Sequence, residues 1–143
     1  MEEPKYVNLE CTQQTFRPCI LYPVRWLDVE QDYELARAIW FQPLSLESWQ
    51  DFQVQGYRYC AAIEEGRIVS LAAAWRYSEA AWEAAAVHTV SEARRRGYGK
   101  SVVSFVTGHI LEAGRVATCL TAAENLPMQR TAMSVGFYTA PRR

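Results

Sequence analysis

The spacing of apolar and polar positions changes along the chain, and each change marks an element. Residues 7–11 alternate and could form a strand, after which Pro18 and Pro23 punctuate a stretch with no clear period. Residues 24–27 read as a short strand. Asp28 suits the N-cap of a helix running to about Trp40, with Val29, Ala36, Ile39 and Trp40 as its apolar positions and Pro43 closing the unit. Ser45 suits the cap of a second short helix, with Leu46, Trp49 and Phe52 at helical spacing and Gly56 as its stop. From there the period shortens: 57–63 and 67–77 form a hairpin around Glu64-Glu65-Gly66. A third strand covers 82–90, although Ala84, Ala85 and Ala86 are poor strand formers and propensity alone predicts a helix there. The glycine-containing turn that follows favours the strand. A long helix over 99–113 carries Val102, Val103, Val106, Ile110 and Ala113 as its buried stripe and ends at Gly114. A strand at 116–121 leads to a last helix, capped by Asn125 with Pro127 near its first position. That helix stops at Gly136 before a short strand at Phe137-Tyr138 and a tail, 141–143, expected to fray. The order predicts an α/β fold with one sheet and helices on both faces.

Composition narrows the possibilities. A chain of 143 residues suits one domain, 1–143, with 1–23 its least defined part. Half of the residues are hydrophobic and 22% are charged, which fits a globular protein. The 15 basic and 16 acidic residues leave a net charge of -1, which argues against a nucleic-acid partner. No apolar run approaches the roughly 18 residues of a membrane span. The acidic N-terminus, Met1-Glu2-Glu3-Pro4-Lys5, lacks the apolar stretch of a secretory signal, so a cytoplasmic location with no membrane partner is expected. Cys11, Cys19, Cys60 and Cys119 are scattered and form no disulfide framework. With only His88 and His109 beside them, at unsuitable spacing, no metal site is expected.

Candidate chemistry concentrates at Arg94-Arg95-Arg96-Gly97-Tyr98-Gly99-Lys100. Two glycines at a strand-to-helix junction let successive N–H groups converge, and the helix adds the positive end of its dipole. The result suits a phosphate or pyrophosphate, with basic side chains around it. Val102 stands where a dinucleotide fingerprint would need a third glycine, and no Walker loop is present. An arginine triplet alone is commonly a solvated surface run.

Placed after a strand, Arg94-x-x-Gly97-x-Gly99 resembles the acyl-CoA pyrophosphate loop of the GNAT superfamily of N-acetyltransferases. The stretch from His88 through Thr89, Val90, Ser91, Glu92 and Ala93 to Arg94 is similar to members reading Tyr-Thr-Pro-Pro-Glu-Tyr-Arg. Asn125 stands eleven residues before Gly136-Phe137, as in the superfamily. The resemblance covers roughly residues 57–138. It implies a mixed, largely antiparallel central sheet, splayed at a cofactor cleft beside strand 82–90. Acetyl-CoA would be the co-substrate and an amine-bearing small molecule or protein the acceptor, with a homodimer possible. Backbone groups of Val87, His88 and Thr89 would hold the thioester and pantetheine. Arg94 and the amides of Arg95, Arg96, Gly97, Tyr98, Gly99 and Lys100 would hold the pyrophosphate. Asn125 would contact the pantetheine or cap its helix.

Amine attack on a thioester needs a base, and Glu83, eleven residues before Arg94, is the candidate by the same resemblance. A regular strand puts Glu83 on the face of Val87 and Thr89, a bulge would change that parity, and a plain surface carboxylate is the competing reading. His88 is a weaker candidate base, equally readable as a packed histidine. The usual Tyr acid, seven residues after the helix-opening Asn, is Ala132 here; Thr131, Ser134 and Tyr138 are its neighbours. Three functions therefore compete: an N-acetyltransferase, a non-catalytic acyl-CoA-binding or regulatory module, and an unrelated α/β interaction protein. The acidic residues Asp28, Glu30, Asp32 and Glu34 suit either an amine or a solvated helix start. Nothing in the sequence names the acceptor.

Overall fold

The computed structural model describes residues 5–40 and 44–143, so the expected helix end at Pro43 lies outside the described residues. The elements are β1 (Tyr6–Cys11), β2 (Arg25–Trp26), α1 (Tyr33–Ile39), α2 (Leu46–Val54), β3 (Tyr57–Glu64), β4 (Arg67–Trp75), β5 (Ala81–Thr89), α3 (Tyr98–Glu112), β6 (Val116–Ala122), α4 (Leu126–Val135) and β7 (Tyr138–Thr139). The strands form one sheet in the order β2-β3-β4-β5-β6-β1-β7. Every neighbouring pair is antiparallel except β5 and β6. The sheet is thus mixed and largely antiparallel, as the resemblance implied.

Two apolar clusters sandwich the sheet. One gathers Val102, Val103, Val106 and Ile110 of α3 with Ala132 and Val135 of α4, over Ala72, Ala84, Ala117 and Cys119. The other packs Ala36 and Ile39 of α1 and Trp49 of α2 against Tyr59, Leu71 and Ala73. Of the alanine run 84–86, Ala84 is buried, Ala85 is half-buried and Ala86 is exposed, and Ala84 joins the alanines of β4 at the centre of the sheet. Ala72, Ala73, Ala74 and Ala84 are all at most 2% exposed, lying in the middle strands where helices cover both faces. Small side chains at such positions let helices approach the sheet closely, and this tertiary demand overrides the helix propensity of alanine.

The second predicted helix has its expected cap, since the Ser45 hydroxyl accepts from the Ser48 N–H at 3.1 Å. Trp49 is fully buried there and donates its indole N–H to the Val29 carbonyl at 2.7 Å. The first helix departs from expectation, starting at Tyr33 rather than after Asp28. The Asp28 carboxylate folds a local turn by accepting from the N–H groups of Glu30 and Gln31. Asp32, which then precedes the helix, spends its carboxylate on both guanidinium nitrogens of Arg25, at 2.8 and 3.0 Å, and on the Asp28 N–H. Side-chain bonds to nearby backbone compete with helix initiation in this way.

The N-terminal region is far more ordered than its sequence suggests. β1 fills the slot between β6 and β7, paired to β6 from Tyr6–Ala122 to Cys11–Ala117. Residues 12–22 then run back along α3, with the Cys19 and Leu21 amides donating to the Ser104 and Ser101 hydroxyls at 2.9 Å each. Gly136, at φ 108°, makes this route possible: a Cβ there would lie 2.0 Å from the Thr15 carbonyl oxygen.

Candidate active site

The site is a split in the sheet. β5 and β6 pair only from Ala81–Val116 to Glu83–Thr118. Beyond that point β5 continues to Thr89 and β6 to Ala122 with no ladder between them. The strands are parallel, so both carboxyl ends point toward the opening. The helices that follow them, α3 and α4, start on the same side. Ligands of open α/β sheets bind at such a place.

The strand-to-helix loop is built as the glycine spacing suggests. After a short turn at Ser91–Ala93, Arg95 takes φ 63° and Gly97 φ 92°, so the chain passes through left-handed conformations just before α3. No side chain caps this helix. Among the described residues the amides of Arg95 through Lys100 make no hydrogen bond to a protein acceptor. Exposed arginines 94, 95 and 96 surround them. The Arg94 Nε–H donates to the Thr89 carbonyl at 3.2 Å. The Tyr22 hydroxyl donates to the Arg96 carbonyl at 2.8 Å while its ring stacks on Tyr98 at 3.8 Å. The N-terminal segment thus braces the loop from outside and leaves its amides available to an anion.

A bulge in β5 sets which side chains share a face. Ala85 lies opposite Ala73 and His88 opposite Leu71, so Ala86 and Val87 together oppose Ala72, and Ala86 takes φ 55°. A regular strand would group Glu83 with Val87 and Thr89. The bulge breaks that parity: Val87 packs toward the α3 cluster, Thr89 bonds Ser70 at 2.8 Å beside Gly99, and His88 comes to the face of Glu83. Burial first, and the Arg94 charge second, hold the His88 imidazole below its ordinary value, keeping it neutral at pH 7. An apolar recess of about 210 Å³ beside the bulge is lined by Ile39, Trp40, Leu71, Ala86, Val87 and His88.

Glu83 lies at the vertex of the split and is 5% exposed. Its Oε1 accepts from the Thr118 hydroxyl at 2.5 Å and from Arg142 Nη1 at 3.0 Å, and its Oε2 accepts from the Leu120 N–H at 2.8 Å. The carboxylate therefore supplies a partner to an amide that the parting strands leave without one. Its charge adds to burial in pushing up the phenol of Tyr57, and the thiol of Cys119 is pushed up to about 12 by burial and then by Glu83.

Asn125 stands at the start of α4 and accepts from the Met128 N–H at 3.2 Å, serving as its N-cap. Ala132 is fully buried, so no side-chain acid arises at that position. The tail is not frayed. Arg142 bonds Glu83 and Asn8, and Arg143 bonds Glu10 through two nitrogens at 2.8 and 3.1 Å. Burial of Glu10 and Glu83, both only 5% exposed, is what holds it. Only the polar residues Asn8 and Glu10 inside an otherwise strand-like run hinted at these contacts.

A parallel strand pair parted beyond its first three residues, with an uncapped helix start beside the opening, defines the GNAT class of fold. The family model of FR47-like proteins matches residues 63–142, more than half of the sequence, and the chain belongs to that family. No curated protein matches the sequence. Among solved structures, a GNAT-family protein from Novosphingobium aromaticivorans aligns with a TM-score of 0.72 at 21% identity, over 94% of this chain and 59% of the other. A GNAT-family acetyltransferase from Colwellia psychrerythraea aligns with a TM-score of 0.76 at 14% identity, over 96% and 53%. The aminoglycoside N-acetyltransferase AAC(6')-Iy, in complex with CoA, aligns with a TM-score of 0.68 at 17% identity, over 85% and 95%. The chain thus spans a little over half the length of the first two. Among the described residues no helix is long and apolar enough to cross a membrane.

Proposed function

We propose that this chain is an acetyltransferase that moves the acetyl group of acetyl-CoA to a primary amine. The observation that carries the reading is the bare amide cluster at the start of α3 beside the split between β5 and β6. A diphosphate placed there would accept from the amides of Arg95 through Lys100, with Arg94 and Lys100 adding charge. The pantetheine arm would then run into the split, where the edge of β5 that faces the opening, at Val87, His88 and Thr89, offers strand-type hydrogen bonds, and Asn125 flanks the opposite wall. The fold shared with AAC(6')-Iy, solved with CoA, supports this course.

In this reading the neutral amine nitrogen attacks the thioester carbonyl, the C–S bond breaks, and CoA leaves as its thiolate. Backbone N–H groups near the bulge stabilise the carbonyl oxygen as charge develops. Glu83 takes the amine's proton, directly or through water. With Ala132 at the usual tyrosine position, the thiolate takes its proton from solvent, and a thiolate is a good enough leaving group for that. Calorimetric titration with acetyl-CoA tests the first half: saturable binding is expected, and no heat at millimolar ligand overturns it. A second reading, a module that binds acyl-CoA without turnover, is favoured by Ala132 and by the bonds already made to Glu83. Acetyl transfer to any member of a primary-amine panel would eliminate it.

A further inference from the structure

We infer that Arg142 is a displaceable stand-in for the acceptor's ammonium group, so that the acceptors exchanging with it at Glu83 are cationic amines; this rests on the reading of Glu83 as the base. The two tail arginines are held differently. Arg143 grips Glu10 with two nitrogens, Nε and Nη2, one to each carboxylate oxygen, which is the rigid fork geometry of a firm pair. Arg142 reaches both Glu83 and Asn8 through the single nitrogen Nη1, at 3.0 and 3.1 Å, with its guanidinium 5.1 Å from the centre of the Tyr77 ring. One arginine pins the segment through a fork, and the other meets the carboxylate proposed as the base through one nitrogen shared with Asn8.

The surroundings fit an exchange. Residues 140 and 141 are themselves fixed to β1: the Ala140 N–H donates to the Asn8 carbonyl at 2.9 Å, and the Asn8 side-chain amide donates to the carbonyls of Ala140 and Pro141. The Arg142 side chain can therefore swing away without unravelling the backbone before it. It also lines a cavity of about 580 Å³ with Tyr6, Asn8, Leu120 and Pro141, and the Leu120 N–H is itself bonded to Glu83. The tyrosine ring and the exposed Leu120 side chain would cover the apolar part of an alkylamine in that cavity. Replacing one cation by another keeps the buried carboxylate paired throughout, so Glu83 is never left charged and alone. Arg142 in place occupies one acceptor site of Glu83 and excludes the substrate nitrogen, so it sets which amines gain entry.

The test titrates butylammonium chloride into the protein and follows the Leu120 amide resonance, which reports on Glu83 directly through its hydrogen bond. The R142A variant is expected to bind the probe at least tenfold more tightly than the unmodified protein, and the R142A/E83Q double variant to lose that gain. Equal affinity in R142A and the unmodified protein overturns the inference. If R142A does not fold, R142Q, which can still hydrogen-bond Glu83 without a charge, is expected to show a smaller gain of the same sign, and no gain overturns it equally. The readout needs no acetyl transfer. A protein that fails to bind acetyl-CoA yet shows the R142A gain sinks only the acetyltransferase reading, and the reverse pattern sinks only this one.

Discussion

The two sides of the split in the sheet are made of different materials. On the α3 side the site is backbone: left-handed Arg95 and Gly97, an uncapped helix start and a row of unbonded amides. On the other face of the sheet it is side chains held by charge: Glu83 with Arg142 and Glu10 with Arg143, and, at the β2 edge away from the split, Asp32 with Arg25. A backbone site presents the same groups whatever most side chains are, so it suits a ligand portion that never changes, such as a diphosphate. A site of paired charges is re-made by single substitutions, so it suits the variable partner.

The largest effect that would sharpen this contrast is expected at the vertex. Glu83→Gln keeps the shape and an oxygen for Thr118 or Leu120 but removes the carboxylate proposed as the base. Acetyl transfer to a responsive amine is expected to fall roughly 10²–10⁴-fold, the usual contribution of a positioned general base, with the dissociation constant for acetyl-CoA unchanged. Steady-state rates beside calorimetry check this. An equal loss of cofactor affinity would mean that Glu83 serves to hold the strands at the vertex and takes no part in chemistry.

Gly97→Val comes next and strikes the backbone side. The φ of 92° is poorly tolerated by a β-branched residue, and the new Cβ would meet Leu21 Cδ1 at 2.6 Å. Leu21 is an exposed, movable side chain, so the steric part is minor. The backbone strain, of order 1–3 kcal/mol, is what would shift the loop. Affinity for acetyl-CoA is expected to drop about tenfold, following the tenfold-per-1.4 kcal/mol rule, while binding of an amine probe at Glu83 stays as it was. Calorimetry with each ligand separates the two.

The same division decides what could be read in the sequence. The hairpin, the long helix and the anion loop follow from local signals: an alternation, a 3.6-residue stripe, and glycines at set spacing. The strand assignment of 82–90 succeeded because the loop after it outweighed the alanines. The bulge at Ala86 carries no mark in its own residue, and with it the side-chain parity of β5 stayed open. The place of β1 is illegible for another reason. A five-residue alternation says that a strand exists but not that it will lie between β6 and β7, more than a hundred residues away in sequence. The ion pairs of Arg142 and Arg143 depend on that placement, since β1 supplies Asn8 and Glu10. Start positions of helices also escape when acidic residues crowd them. Asp28 and Asp32 both have cap chemistry, but the Asp28 carboxylate is spent on the Glu30 and Gln31 N–H groups and that of Asp32 on Arg25, so neither side chain caps α1.

That last pair offers the smallest effect and the cleanest check on the side-chain half. Asp32 is 7% exposed, and the Arg25 guanidinium bonded to it is the main cause holding its carboxyl below the ordinary value, with the Asp28 N–H and the Arg25 charge assisting against burial. The folded-state value is therefore depressed relative to the unfolded chain. The stability it contributes is fully present above about pH 4, where the unfolded aspartate is ionised, and is lost as pH falls through the lower folded value. Arg25→Ala removes the leading cause, so the depression shrinks or reverses and acid unfolding should begin at higher pH. At pH 7 the cost is expected to be about 1 kcal/mol, small because Arg25 is half exposed and water screens the pair. Chemical denaturation at pH 7 and at pH 4 measures both numbers. Acetyl-CoA affinity should not move, because the pair sits before α1, across the sheet from the loop at the start of α3; a tenfold loss there would show that the two sides are mechanically coupled and that the division by material does not hold.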